Sequence, residues 1–251
     1  KEIVYLLATK STSSLEGQEM SPYSIIYADP PWSYYNDSTA KSNCTTVRGM
    51  RRPPYDVMSS DDIKKIPVET LADVNSILFI WTTDYHLEKC IEVISAWGFK
   101  YKTVAFAWHK KTKQGKPVCF MGAYTMKSGI ELCLLGTRGR DAHKLVKKHN
   151  VRSLIESERL NHSKKPDEAR ERIVELCGDI PRIELFARQK TSGWDVFGNE
   201  VEGSVCLPAP LTGAIAPDNQ QVVLPADALV GEGTLPEPPT ANGLVTAIKK
   251  I

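Results

Sequence analysis

The chain holds six cysteines but no C-x-x-C pair. Cys44, Cys90, Cys119, Cys133, Cys177 and Cys206 are scattered, and four of them fall in apolar runs or near a helix end, where cysteine behaves as a small hydrophobe. A disulfide framework belongs to much shorter secreted chains, and a zinc site needs closely spaced ligand pairs. Reduced core thiols and no metal are therefore expected. No apolar run reaches the roughly 18 residues needed to span a bilayer, which argues against a membrane protein. The start, Lys1-Glu2-Ile3-Val4-Tyr5, has neither an initiator methionine nor a signal-peptide pattern, and it reads as a trimmed boundary. Internal repeats are absent. So is any G-x-G-x-x-G, and glycine spacing gives no support for a nucleotide cofactor.

Aromatic residues are missing from one region only. Residues 205–251 contain none, yet hold seven of the 16 prolines. Such a stretch cannot bury enough apolar area to offset its ordering entropy. We read residues 1–204 as one folded domain and 205–251 as a Pro/Ala/Gly-rich, mostly irregular tail. Charge is uneven too. The whole chain carries +2, while the tail has Lys249 and Lys250 against Asp218, Asp227, Glu232 and Glu237, which leaves the first 204 residues at +4. That is a weak pointer to a polyanionic partner.

Within the first 204 residues, strand and helix patterns alternate. Tyr23–Ala28, Ser76–Trp81, Thr103–Trp108, Glu131–Leu135 (closed by Gly136) and Ile183–Ala187 are short apolar runs of the kind that form buried strands. Ser59-Ser60-Asp61-Asp62 marks a helix start, with acids at the positive end of the dipole. Leu87, Ile91, Ile94 and Trp97 line one face of a helix from about Asp84 that Gly98 ends. A further helix opens at Pro166, buries Ala169, Ile173 and Leu176, and stops at Gly178. Strands separated by such helices imply crossover units, hence an α/β domain of three layers around a largely parallel sheet.

In open parallel sheets, ligands bind beyond the carboxyl ends of strands. Asp29 follows such an end directly, and Pro30-Pro31-Trp32 comes next. Two prolines fix the backbone and remove two donors, so nearby carbonyls are left as acceptors. Trp32 offers a plate on which a base can stack, and Ser33-Tyr34-Tyr35-Asn36 and Tyr55 extend the aromatic surface. The amine of adenine is a poor nucleophile because its lone pair is delocalised into the ring. A carboxylate and a carbonyl accepting its two hydrogens, here Asp29 and Pro30, push electron density back onto nitrogen and aim it at a methyl donor. The plainer alternative is a turn in which Asp29 caps backbone and Trp32 packs in the core.

Ala28-Asp29-Pro30-Pro31-Trp32 resembles the signature of the adenine-N6 methyltransferases related to the catalytic subunit of the messenger-RNA adenosine methyltransferase. Tyr55-Asp56-Val57-Met58-Ser59, Leu78-Phe79-Ile80-Trp81, Trp97-Gly98-Phe99, Ser163-Lys164-Lys165-Pro166-Asp167, Glu184-Leu185-Phe186-Ala187-Arg188 and Gly193–Glu200 recur there in the same order. The resemblance spans about Tyr23 to Gly203. It implies a Rossmann-like, S-adenosylmethionine-dependent methyltransferase fold with permuted motif order. It also implies a catalytic set of Asp29, Pro30, Pro31 and Trp32, with Trp32, Tyr34 and Tyr55 around the target base. Ala28, Asp29, Lys165, Arg188, Asn199 and Glu200 would surround S-adenosylmethionine. Their chemistry agrees, since Glu200 and Asn199 can bond ribose or adenine, and Lys165 and Arg188 can pair with a carboxylate. The sequence departs from the family at Gln189-Lys190, where the messenger-RNA enzyme has His-Asn. Each residue also has a plainer reading: Lys165 as a solvated cation before a helix, Asn199 as a turn former, Arg188 as half of a surface ion pair.

Basic stretches outside the strands suggest how nucleic acid is gripped. One is His109–Lys116, with Lys110, Lys111, Lys113 and Lys116 ahead of Phe120 and Tyr124. Another is Arg48, Arg51 and Arg52, and a third runs from Arg138 to Arg152. Cations beside aromatics suit a polyanion with unstacked bases, although a charge run is often only a solvated face. The expected activity is adenine-N6 methylation of nucleic acid, DNA favoured over RNA, by a protein like the stand-alone bacterial or phage members, in the cytoplasm. The alternatives are an RNA adenine methyltransferase and an inactive nucleic-acid-binding subunit. Family members often work in pairs, which leaves open a homodimer or a heterodimer with a related subunit.

Overall fold

The computed structural model describes residues 22–33, 46–47, 50–51, 57–122, 124–159 and 164–205. Tyr34, Arg48, Arg52, Tyr55 and the expected tail from residue 206 lie outside the described residues, and Arg51 is described by its backbone alone.

The strands are β1 (Tyr23–Ala28), β2 (Thr46–Val47), β3 (Met50–Arg51), β4 (Ala72–Thr82), β5 (Lys100–Lys111), β6 (Cys119–Met121), β7 (Met126–Ser128), β8 (Ile130–Arg138), β9 (Leu154–Glu158), β10 (Arg182–Leu185) and β11 (Asp195–Phe197). Among the described residues the helices are α1 (Ser60–Lys64), α2 (Leu87–Ala96) and α3 (Glu168–Cys177), with 3-10 turns at Val68–Thr70, Asp84–His86 and Ala142–Leu145. Seven strands form one sheet in the order β11-β10-β1-β4-β8-β5-β9. Every pairing is parallel except those of β8, which runs against both β4 and β5. The expectation of helix-linked crossovers is met only in part, and at β5–β8 its failure reverses a strand for a topological reason. Between β5 and β8 the described residues form a turn and the β6–β7 hairpin and no helix. Without a crossover it must return antiparallel.

The period-2 alternation of the strands divides the core between two faces. Ile26, Ala28, Leu78, Ile80, Leu134, Ile183 and Leu185 pack under α1 and α2, against Ile63, Cys90, Val93, Ile94 and Trp97. Ile25, Tyr27, Phe79, Trp81, Trp108 and Cys133 face α3, against Ala169, Ile173 and Cys177. The result is the three-layer arrangement. Ser59 caps α1 by accepting from the Asp62 N–H at 3.1 Å, and Gly178 ends α3 at φ 84°. Helix α3 starts at Glu168, two residues after Pro166, whose carbonyl accepts from Ala169 N–H at 3.1 Å. Gly136 does not close its strand. A Cβ there would lie 2.9 Å from Ile94 Cγ2, so the glycine lets α2 press onto β8 while the strand continues to Arg138. Cys90, Cys133 and Cys177 are buried free thiols, and burial raises each of their pKa values, Cys177 to about 11.

Candidate active site

Strand alternation also selects what reaches the carboxyl edge of the sheet. Asp29 continues the α3 side of β1 two residues after Tyr27. Lys110 continues that side of β5 after Trp108, and Glu131 precedes Cys133 on the same side of reversed β8. Lys165 comes from the segment that leads into α3. The four meet as a row of alternating charge. Lys165 Nζ lies 2.7 Å from Asp29 Oδ1 and 2.8 Å from Oδ2. It lies 3.2 Å from Glu131 Oε2, while Lys110 Nζ donates to Glu131 Oε1. Two indoles floor the row, with Lys165 5.7 Å above Trp81 and Lys110 4.7 Å above Trp108. Trp81 is fixed in turn by donating to the Tyr27 hydroxyl at 2.7 Å.

The electrostatics follow from this order. Burial is the largest influence on Asp29 and outweighs the Lys165 cation, so the carboxyl is held above its usual range. Burial also acts on Glu131, but Lys165 and Lys110 together outweigh it and hold that carboxyl below the usual range. For Lys165 burial opposes the charge, and the two carboxylates overcome it, so the ammonium is held more firmly than in water.

Asp29, Pro30, Pro31, Trp32, Trp81, Thr82, Thr83, Glu131, Lys165 and Arg188 line one cleft. Ala28 is fully buried beneath it as the last residue of β1. The backbone after Asp29 is tightly braced. Trp32 N–H donates to the Pro30 carbonyl at 2.9 Å, Met58 N–H to Pro31 at 2.8 Å, and Ser33 N–H to Met58 at 3.0 Å. Trp32 is 7% exposed. Its indole N–H donates to the Trp81 carbonyl at 2.9 Å, and its ring stacks on His86 at 5.5 Å. In this arrangement Trp32 is a wall of the cleft and not an open stacking plate, which corrects the expectation of an exposed ring. His86 bonds both the Ser33 carbonyl, at 3.0 Å, and Thr83 Oγ1, at 3.1 Å. Burial lowers its pKa, which favours a neutral ring.

A second group of side chains is set by the ends of β10 and β11. Phe186 adopts φ 60°, uncommon for a residue with a Cβ, and Ala187 N–H donates to the Phe197 carbonyl at 3.0 Å. A Cβ on Gly198 would come within 2.1 Å of the Ala187 carbonyl oxygen, so only glycine permits this approach. It carries the exposed turn Asn199-Glu200 towards Arg188, whose Nε lies 3.8 Å from Glu200 Oε1.

The basic residues separate. Lys110 is turned onto Glu131, and Lys111 pairs with Glu156 at 3.0 Å, so neither is simply an outward cation as the charge run suggested. Lys113 and Lys116 are exposed on the turn that follows β5. Glu131 and His86 were missed by sequence reasoning. The available signal for Glu131 was an acid opening an otherwise apolar strand; no comparable signal marked His86.

A largely parallel sheet with a braced acid at its carboxyl edge, beside cations, is the arrangement of a Rossmann-like fold that binds its ligand beyond the strand ends. Residues 23–200 match the MT-A70 family model. The chain is 33% identical over 192 residues to the type II methyltransferase M.MunI of Mycoplasma sp, covering 71% of this chain and 78% of that protein. It is 26% identical over 188 residues to the N(6)-adenosine-methyltransferase subunit METTL3 of Danio rerio, covering 73% of this chain but 29% of the relative. It is 28% identical over 224 residues to the N(6)-adenine-specific methyltransferase METTL4 of Homo sapiens, covering 78% and 43%. Thus it spans less than half the length of these two eukaryotic relatives. The chain belongs to the MT-A70 family, adenine-N6 methyltransferases that use S-adenosyl-L-methionine. Among the described residues no helix is long and apolar enough to cross a membrane.

Proposed function

We propose that this chain methylates the N6 amine of adenine in nucleic acid, with DNA the favoured polymer. The observation that carries the reading is Asp29, fixed at the end of β1 by Lys165 and followed by the braced Pro30-Pro31-Trp32 turn. Asp29 accepts one amine hydrogen. The Pro30 carbonyl, which has a second lone pair beyond the one Trp32 uses, accepts the other. Both interactions strengthen as the nitrogen becomes positive, so they favour the transition state over the ground state. When bound, S-adenosylmethionine supplies an electrophilic methyl group whose bond to sulfur breaks with its electron pair left on sulfur. The nitrogen lone pair forms the new bond, and Asp29, 24% exposed, is the first acceptor for the surplus proton.

Lys165 and Arg188 are the groups suited to the methionine carboxylate, and Asn199 and Glu200 those suited to the ribose. Exposed Lys113 and Lys116 suit the phosphate backbone, with Arg48, Arg51 and Arg52 as further candidates and Tyr34 and Tyr55 as candidates for the base. The amine is out of reach inside a duplex, so the target base must be flipped or presented on a single strand. The DNA preference is supported by 33% identity to a bacterial type II methyltransferase against 26% to METTL3. The test is transfer of labelled methyl from S-adenosylmethionine to single- and double-stranded DNA and RNA oligonucleotides, beside Asp29→Ala. Label in DNA adenine that disappears in Asp29→Ala is expected. Label confined to RNA would overturn the DNA preference, and no label in any polymer would overturn the activity.

A further inference from the structure

The reading of Asp29 as an acceptor raises a difficulty that the row of charges resolves. Lys165 lies within 2.8 Å of both Asp29 oxygens. A lysine held symmetrically on a part-buried carboxylate occupies the oxygens the amine needs. It also forms the kind of low-dielectric ion pair that is costly to open. An isolated Asp29–Lys165 pair would be stable and inert.

The row continues past Lys165, however. Glu131 is a second carboxylate in reach of the same ammonium, at 3.2 Å, and its side chain is only 13% exposed. Burying another acid beside Asp29 is unfavourable unless that acid is itself compensated. Lys110 compensates it by donating to the other oxygen, Oε1, so each Glu131 oxygen faces a different lysine. The Trp81 and Trp108 rings lie beneath the two ammonium groups and exclude water from below. Asp29 is the end of the row that opens onto the cleft, and Lys110 is the end that leads into the basic turn.

Resting on the proposed reaction, we propose that Glu131 is a positioning residue acting through Lys165: it shares the ammonium with Asp29 and so frees an Asp29 oxygen for the target amine, while Lys110 keeps Glu131 charged. Lys110 is thereby a member of the site's interior and not a phosphate contact. The negative charge of Glu131 also disfavours ionisation of Asp29. Removing it must therefore lower the pH at which Asp29 titrates, and it must draw Lys165 closer onto Asp29, which acts in the same direction.

The experiment compares wild type with Glu131→Gln, which keeps the shape and removes the charge, and with Glu92→Gln on α2 as a surface control. Glu131→Gln is expected to lower kcat by up to about 100-fold, the scale of a small misplacement at a reacting centre, with KM for the oligonucleotide changed less than kcat. The acid limb of the kcat profile should move to lower pH. An unchanged acid limb, or a loss wholly in KM, would overturn the proposal. A reading free of turnover is the pH titration of the Asp29 carboxyl by carbon-13 resonance, assigned with Asp29→Asn. Its midpoint should fall in Glu131→Gln, and an unmoved midpoint overturns the proposal even if no polymer proves to be a substrate. Should Glu131→Gln fail to fold, Glu131→Asp withdraws the charge by one methylene. It should shift the same midpoint less far in the same direction, and no shift overturns the proposal.

Discussion

Lys110 and Lys113 stand three residues apart in one basic run, and the structure sends them to opposite fates. Lys110 is on β5, where alternation points it to the α3 face and onto Glu131 above the Trp108 ring. Lys113 is on the turn 112–116, closed by Gly115 N–H donating to the Thr112 carbonyl at 2.8 Å, and is exposed. The comparison extends to the regions they belong to. Along the row Asp29–Lys165–Glu131–Lys110 every charge is held by an opposite charge in a largely desolvated setting, so geometry is stiff and each loss is expensive. On the turn the charges are solvated and screened, individually cheap to remove, and useful only to a partner that carries its own charge.

Three variants sharpen that contrast. The largest effect is expected from Lys165→Met, which leaves Asp29 and Glu131 facing each other without their shared cation. Breaking such a buried set costs about 3–5 kcal/mol, read from the denaturation midpoint at pH 7. The sign with pH is fixed. Lys165 lowers both carboxyls, so its loss raises both pKa values in the folded variant. A group raised in the folded state loses its stabilising contribution as pH rises through its folded value, so the deficit of the variant should shrink on acidification from pH 7. A deficit that grows on acidification would contradict the arrangement.

Gly198→Ala comes next. Its Cβ would meet backbone, the Ala187 carbonyl oxygen at 2.1 Å, which no rotamer change relieves. About 1–3 kcal/mol of destabilisation is expected, with the Asn199-Glu200 turn displaced from Arg188 and S-adenosylmethionine affinity reduced in calorimetry. Unchanged affinity would remove that turn from the donor site. The smallest effect on stability, within about 0.5 kcal/mol, belongs to Lys113→Gln with Lys116→Gln. The same pair should lower the slope of log affinity for nucleic acid against log salt by about one per lysine that contacts phosphate. An unchanged slope would make the turn only a solvated face.

The contrast also marks what the sequence discloses. Buried strands and the three layers were legible from apolar runs, and the end of α3 from Gly178. The D-P-P-W segment could be placed at a strand end because the β-rich run Tyr23–Ala28, apolar but for Ser24, leads straight into it. The reversal of β8 was not legible. Its residues Glu131–Leu135 look like any buried strand, and direction depends on the missing crossover after β5, not on the strand itself. Glu131 escaped notice because pairing in space, with Lys165 34 positions later and Lys110 21 earlier, leaves no local pattern. Trp32 illustrates the converse. Its motif suggested an exposed ring, while the carbonyl of Trp81 and the ring of His86, neither visible as partners in the sequence, turn it into a wall. Strands β6, β7, β9 and β11 are short or polar and were passed over for that reason.

The most direct measurement is the identity of the methylated nucleoside. An oligonucleotide incubated with the protein and S-adenosylmethionine, digested to nucleosides and resolved by mass spectrometry, should contain N6-methyladenine with wild type. With Asp29→Asn, whose side chain keeps its size but loses the charge, the yield should fall by about 100–1,000-fold. Methyl found on another base, or N6-methyladenine formed equally well by Asp29→Asn, would contradict the account of the cleft.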